Sequence, residues 1–158
     1  MKTINTYSFS ELSESTKSRA LDDYRSKGFE YSWQDENFDS LNAFCDLFSI
    51  KVKDYSIGTL GHSYITTDAE NHHFRGLNKA KVAAIPEFLT GYCLDCSFIE
   101  TFKREFEATG NALYSFNEAI DAGLRSWVND LEYQESDEYI IESIEVNDYQ
   151  FLENGRMV

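Results

Sequence analysis

The chain has 158 residues and a formal net charge of −14, from 28 acids against 14 bases. Hydrophobic residues make up 42% and aromatics 15%, which excludes a disordered acidic tail and suffices for one domain with a real core. No apolar run approaches the ~18 residues a membrane span needs, and the opening MKTINTYSFSEL is polar with no apolar segment, so no secretory signal is expected.

In chain order, Thr3 to Tyr7 alternates weakly and predicts a short strand. Ser10 to Lys27 predicts a helix, because Leu12, Thr16, Ala20, Leu21 and Tyr24 recur at helical spacing and Gly28 stops the pattern. Trp33 to Phe48 predicts a second helix. Trp33, Leu41, Phe44, Cys45 and Phe48 share its apolar side, with Phe38 at the edge, and Asp35, Asp39 and Asp46 share the opposite side. The stretches IKVKDYSIG and HSYITTDA predict two strands separated by Gly58 to Gly61.

Asn78 to Leu89 reads as a helix that Pro86 breaks or begins. Cys96 to Ala108 predicts a helix with Phe98, Phe102 and Phe106 on one face, ended by Gly110. Ala112 to Leu131 predicts a longer one, with Leu113, Phe116, Ile120, Leu124, Trp127 and Leu131 at core spacing. Asp137 to Val146 predicts the last helix. DYQFLENGRMV then predicts a strand in which Tyr149 and Phe151 pack, with a turn at Asn154-Gly155. With no repeat, low-complexity segment or linker, the expectation is a single compact α+β domain over 1–158, about five helices packed on a small antiparallel sheet.

The charge is unevenly placed. Residues 28–50 carry five acids and no base, residues 126–155 carry nine acids and no base, and the rest of the chain is neutral. Charge spread for solubility alone would not concentrate in two tracts. On the last helix Glu135, Glu138, Glu142 and Glu145 are three, four and three residues apart and line one face, opposite Ile140, Ile141 and Ile144. At ~1.5 Å rise per residue the stripe is about 15 Å long. Its charge spacing of roughly 4–5 Å is comparable to the ~3.4 Å phosphate spacing along one DNA strand. A duplex is denser, so a duplex mimic would need a second acidic element, which Asp35, Asp39 and Asp46 could supply; Asp130 adds to the C-terminal tract. The competing reading is the solvated face of an amphipathic helix. The absence of interspersed Lys or Arg speaks against it, since like charges at i,i+4 destabilise a helix. Tyr133 and Tyr139 are interleaved with these acids, as at a protein interface. No EF-hand loop is present.

Other constellations are thinner. Cys93-x-x-Cys96 with His72 and His73 offers the donor types of a zinc site, but there is no second CxxC, and adjacent histidines suit one tetrahedral ion poorly. Two small thiols opening a helix is the alternative. With Cys45 the cysteine count is odd, and the thiols are expected to be reduced. Asp68 and Glu70 beside the histidines have the residue types of a hydrolase centre. There is no phosphate-binding loop, no nucleophile elbow and no dinucleotide fingerprint, so no cofactor and no enzymatic activity are expected. Direct nucleic-acid binding is opposed electrostatically, and no membrane contact is expected.

YSFSELSESTKSRALDDYRSKGFEYSWQDENFDSLNAF, with Phe9, Glu11, Leu12, Ser13, Ala20, Tyr24 and Trp33 in place, resembles the opening of a widespread group of small phage and prophage proteins labelled "antitoxin of toxin–antitoxin stability system". DEYIIESIEVNDYQFLENGR resembles their ending. The likeness covers about the first 55 and last 25 residues. The middle departs, with GTLGHSYITTD where relatives carry a Gly-rich W-S-Q-G-D-G loop. The resemblance implies a mobile-element origin and action in the cytoplasm of a bacterial host. By analogy with small acidic phage inhibitors, the partner expected is a basic surface on a host protein or nucleoprotein complex, in an anti-CRISPR or anti-restriction role. An antitoxin bound to one toxin is the alternative, and a metal-dependent enzyme the third.

Overall fold

The computed structural model describes residues 3–27 and 33–158, and the expected helix stop at Gly28, like the acid at Glu30, lies outside them. Strand β1 is Tyr7–Ser8, later than the Thr3–Tyr7 expected. A 3-10 turn, Phe9–Glu11, precedes helix α1, Glu14–Ser26. The expected continuous helix from Ser10 is broken because Ser13, extended at φ −66 and ψ 158, caps α1 by accepting the Thr16 amide. Helix α2 is Gln34–Asp46, and strands β2, Val52–Ser56, and β3, Tyr64–Thr67, follow. After a 3-10 turn at Asn71–Phe74 comes α3, Lys79–Ala83. It is shorter than the Asn78–Leu89 expected and ends before Pro86, whose ring and missing N–H do not extend a helix. Helices α4, Leu94–Thr109, α5, Ala112–Gln134, and α6, Asp137–Val146, lead to strand β4, Gln150–Phe151.

The chain is α+β, as the sequence predicts. Among the described residues the strands form two antiparallel sheets of two strands each, β1 with β4 and β2 with β3. Where the sequence offers no boundary, the contacts divide into two compact units: Met1–Ser32 with Glu132–Val158, and Trp33–Leu131.

The first unit joins the two ends of the chain. Tyr7 pairs with Phe151 and Ser8 with Gln150, and a bridge from Phe151 to Met157 closes the predicted terminal hairpin. Phe9, Leu12, Ala20, Leu21, Ile140, Ile144 and Phe151 form its core. Gly155 turns with φ +86 so close to α1 that a Cβ there would lie 2.9 Å from the Thr16 carbonyl oxygen. Polar ties complete the unit. The Met157 amide donates to Asp23 at 3.1 Å, Lys27 pairs with Asp23 at 2.8 Å, and Arg25 donates to the Glu135 carbonyl at 3.2 Å and pairs with Asp137.

The second unit is built on phenylalanine. The four-residue recurrence of Phe98, Phe102 and Phe106 sets all three on the buried face of α4. Phe44 of α2 stacks between Phe98, at 5.2 Å, and Phe116 of α5, at 5.3 Å, with Phe48 and Phe102 edge-on. Gly123 of α5 is buried and admits Phe98: a Cβ would fall 2.1 Å from the ring. The Trp127 indole N–H donates to Gln34 at 2.9 Å, which lets this large ring be buried without an unpaired polar atom. Asp95 is wholly buried and accepts the amides of Leu89, Thr90 and Gly91 at 2.8, 2.7 and 3.0 Å. Burial pushes its carboxyl up, but hydrogen bonds from Ser40, Thr90 and Leu89 outweigh that and hold it below the ordinary carboxylate range.

Candidate functional site

Helix α6 presents Glu138, Glu142 and Glu145 to solvent, while Ile140 and Ile144 on its other side are buried. Glu135, also exposed, stands in the turn before it, and Ser136 caps the helix by accepting the Tyr139 amide. Among the described residues no ion pair involves Glu138, Glu142 or Glu145. Arg25, 112 residues away in sequence, reaches this region and serves Asp137 in the first turn. Position along the helix matters. Acids in the first turn complement the positive end of the helix dipole, whereas Glu145 lies in the last turn, where carboxylates are unfavourable and α6 has no base.

An aromatic pair sits in this acidic face. Tyr133 and Tyr139 meet edge-to-face at 5.3 Å, and Tyr133 is 45% exposed. Its phenol is pushed above the ordinary range, by partial desolvation first and then by the carboxylates of Glu142 and Glu138, so the ring and these acids are neighbours. Of the other aromatics interleaved with the acids, Phe151 is buried and Tyr149 is half-buried, 6.3 Å from Tyr24.

The second acidic face lies on α2. Asp35, Asp39 and Asp46 are exposed, in one row opposite the buried Leu41, Phe44 and Cys45. They too make no ion pair among the described residues. Asp46, like Glu145, occupies a last turn that contains no base. Trp33, expected on the apolar side, is instead 43% exposed. It caps α2 in a left-handed conformation, φ 59, which takes it off the helical pattern, and it stacks on Tyr92 at 6.0 Å. The Tyr92 phenol is pushed up by burial first and then by the charges of Cys93, Asp130 and Glu36. Asp130 belongs to this second unit, where its charge acts on Tyr92, rather than to the α6 stripe with which the sequence groups it. Each acidic face thus has an aromatic pair at its margin with one exposed ring, Tyr133 beside the half-buried Tyr139 or Trp33 beside the half-buried Tyr92. Helical periodicity reveals the acids, but the pairs depend on tertiary contacts.

The zinc alternative does not assemble. Among the described residues no three His, Cys, Asp or Glu side chains gather into a group that could hold a metal ion. Cys93 is exposed at the start of α4, and Cys96 is half-buried, its thiol pushed up by burial and by Glu100 and Asp95. Cys45 is a buried thiol pushed up to about 12, chiefly by burial. His72 and His73 lie against each other at 4.1 Å, His72 facing Glu70 at 3.3 Å and His73 facing Asp68 at 4.0 Å. The polar atoms of this cluster are taken up by local structure. The Glu70 amide donates to His73 Nδ1 at 3.0 Å, and the Lys51 amide donates to Asp68 at 2.8 Å. The latter bond is the main reason that the Asp68 carboxyl is held below its ordinary range.

No helix among the described residues is long and apolar enough to cross a membrane. No protein-family model matches the sequence, and no curated protein and no solved structure matches it either.

Proposed function

We propose that the chain is a non-enzymatic binding protein of phage or prophage origin, acting in the bacterial cytoplasm. It inhibits a host nucleic-acid-handling defence complex, of the anti-CRISPR or anti-restriction type, by occupying a basic surface that otherwise takes nucleic acid. The observation that carries this reading is the placement of Asp46 and Glu145. Both are exposed acids in the last turn of a helix, without a base in that turn. Such positions weaken their helices, so stability does not account for them, while a negatively charged contact row does. The aromatic pairs, each with one exposed ring, support it further, because desolvated aromatic anchors supply affinity where charge supplies mainly orientation and speed of association. The resemblance of both chain ends to phage proteins supports the origin.

The test is affinity capture from bacterial lysate at low and high salt, with wild type, the triple variant Glu138→Gln/Glu142→Gln/Glu145→Gln and the triple variant Asp35→Asn/Asp39→Asn/Asp46→Asn. The expected result is a nucleic-acid-binding complex retained at low salt and released at high salt, with a shallower salt dependence for at least one variant. An unchanged salt slope in both variants sinks the decoy mechanism. A single small partner that survives high salt would instead mark an antitoxin.

A further inference from the structure

One stretch of the second unit runs against the charge of the whole. From Asn71 to Pro86 there is no acid, and Arg75, Lys79 and Lys81 are cations. In a chain with 28 acids and 14 bases, bases retained for stability would meet carboxylates. Among the described residues none of these three makes an ion pair. The acids just before the stretch meet other groups than these three bases, Asp68 the Lys51 amide and His73, Glu70 the neighbouring His72.

Arg75 and Lys81 line a cavity of about 260 Å³ whose walls include Phe48, Phe74, Leu77 and Ile85. Both cations are exposed, while Phe48 and Phe74 are buried and form the apolar part. Gly76 between them turns with φ +74, and Lys81 Nζ lies 3.7 Å from where a Gly76 Cβ would be, which brings the ammonium over the turn that carries Arg75. Lys103 Nζ donates to the carbonyl of Ile85, a residue of the wall, at 2.5 Å.

We infer that this cavity binds a small organic anion, with a carboxylate or phosphate head group held by Arg75 and Lys81 and an aryl or branched alkyl body against Phe48, Phe74 and Leu77. A guanidinium presents paired donors that match either oxyanion, and an ammonium adds a point charge. Ligand pockets in general combine apolar walls with a few convergent polar groups. The inference stands apart from the proposed inhibitory function, since it uses neither acidic face.

The experiment is a titration of the full chain, followed by amide NMR, with phenyl phosphate, benzoate and inorganic phosphate. Saturable shifts are expected at Arg75, Gly76, Leu77 and Lys81 with phenyl phosphate or benzoate, and the tighter of the two identifies the head group. Inorganic phosphate should bind about tenfold more weakly or worse, because it lacks the apolar body. The double variant Arg75→Gln/Lys81→Gln changes only exposed side chains, so it should keep the wild-type melting temperature and lose about tenfold or more in affinity. Leu77→Ser should weaken phenyl phosphate and leave inorganic phosphate unchanged. The inference is overturned by an absence of saturation up to about 10 mM of either organic anion, by unchanged binding in the folded double variant, or by equal affinity for inorganic and phenyl phosphate.

Discussion

The two units reach stability by different means. The second has a core cluster of seventeen buried hydrophobic residues in one continuous stretch of chain, with Phe44 stacked between Phe98 and Phe116. The core cluster of the first has seven among the described residues, drawn from both ends of the chain. A large dry core holds itself by area removed from water. A small one cannot, and here it is supplemented by a turn pressed against a helix and by the ties of Asp23 and Arg25. The smaller unit also carries the α6 acidic face. The comparison teaches that unbalanced charge does not follow core size: the large core carries the α2 acidic face and the small one the α6 face, as expected of surfaces kept for contact rather than for stability.

The sharpest way to break the comparison is at Asp95, the one buried carboxylate of the larger core. Asp95→Asn keeps one oxygen for the three backbone amides, which all meet Oδ2, but removes the charge that strengthens those bonds and puts an NH2 where Oδ1 accepts the Thr90 hydroxyl. The variant should lose about 2–3 kcal/mol at pH 7, read by chemical denaturation. The pH dependence has a definite sign. The folded carboxyl is held below its ordinary value of 3.8, so its contribution is complete above that value and is lost as pH falls through it toward the folded value. The gap between wild type and Asp95→Asn should therefore be constant from pH 7 to about 5 and close below about 4. A gap that persists in acid would mean that the charge does not hold the 89–91 loop.

A smaller effect is expected in the first unit from Gly155→Ala. The new methyl would stand 2.9 Å from the Thr16 carbonyl oxygen and 3.2 Å from the Ala20 amide nitrogen, at φ +86. Strain and overlap together should cost about 1–3 kcal/mol. Hydrogen exchange should rise at α1, α6 and β4 and stay unchanged in α4. If protection falls equally in both cores, the units are one cooperative block and the comparison fails.

How much of this was legible in the sequence follows from range. The Phe98, Phe102 and Phe106 row, the extent of α6 and the hairpin across Gly58 to Gly61 are local patterns of period 3.6 or 2, and the structure follows them. The pairing of β1 with β4 joins Tyr7 to Phe151 and leaves no local trace, nor does the reach of Arg25 to Asp137. Trp33 departs from its expected place because a single left-handed residue breaks the helical phase on which the expectation rests. The exposure of Asp35, Asp39, Glu138, Glu142 and Glu145 could be read from periodicity alone. The company of Asp130 could not, because it depends on how α5 packs beside Tyr92.

The smallest effect is the most informative about why the acids are there. Glu145→Lys puts a cation in the last turn of α6, where the helix dipole favours it and where the chain has no base. The new ammonium would also stand three residues after Glu142, in the order that permits a favourable pair. The variant should therefore be more stable than wild type, by about 0.3–1 kcal/mol at low ionic strength, with the gain fading as salt rises. In the capture experiment the same variant should retain less of the basic partner, because a charge has been reversed within the contact row. Stability and binding moving in opposite directions would show that Glu145 is kept at the expense of the helix that bears it. If both rise, or if binding is untouched while stability rises, the α6 face is ordinary solvated surface, and the interaction must be sought on α2 and around Trp33 and Tyr92.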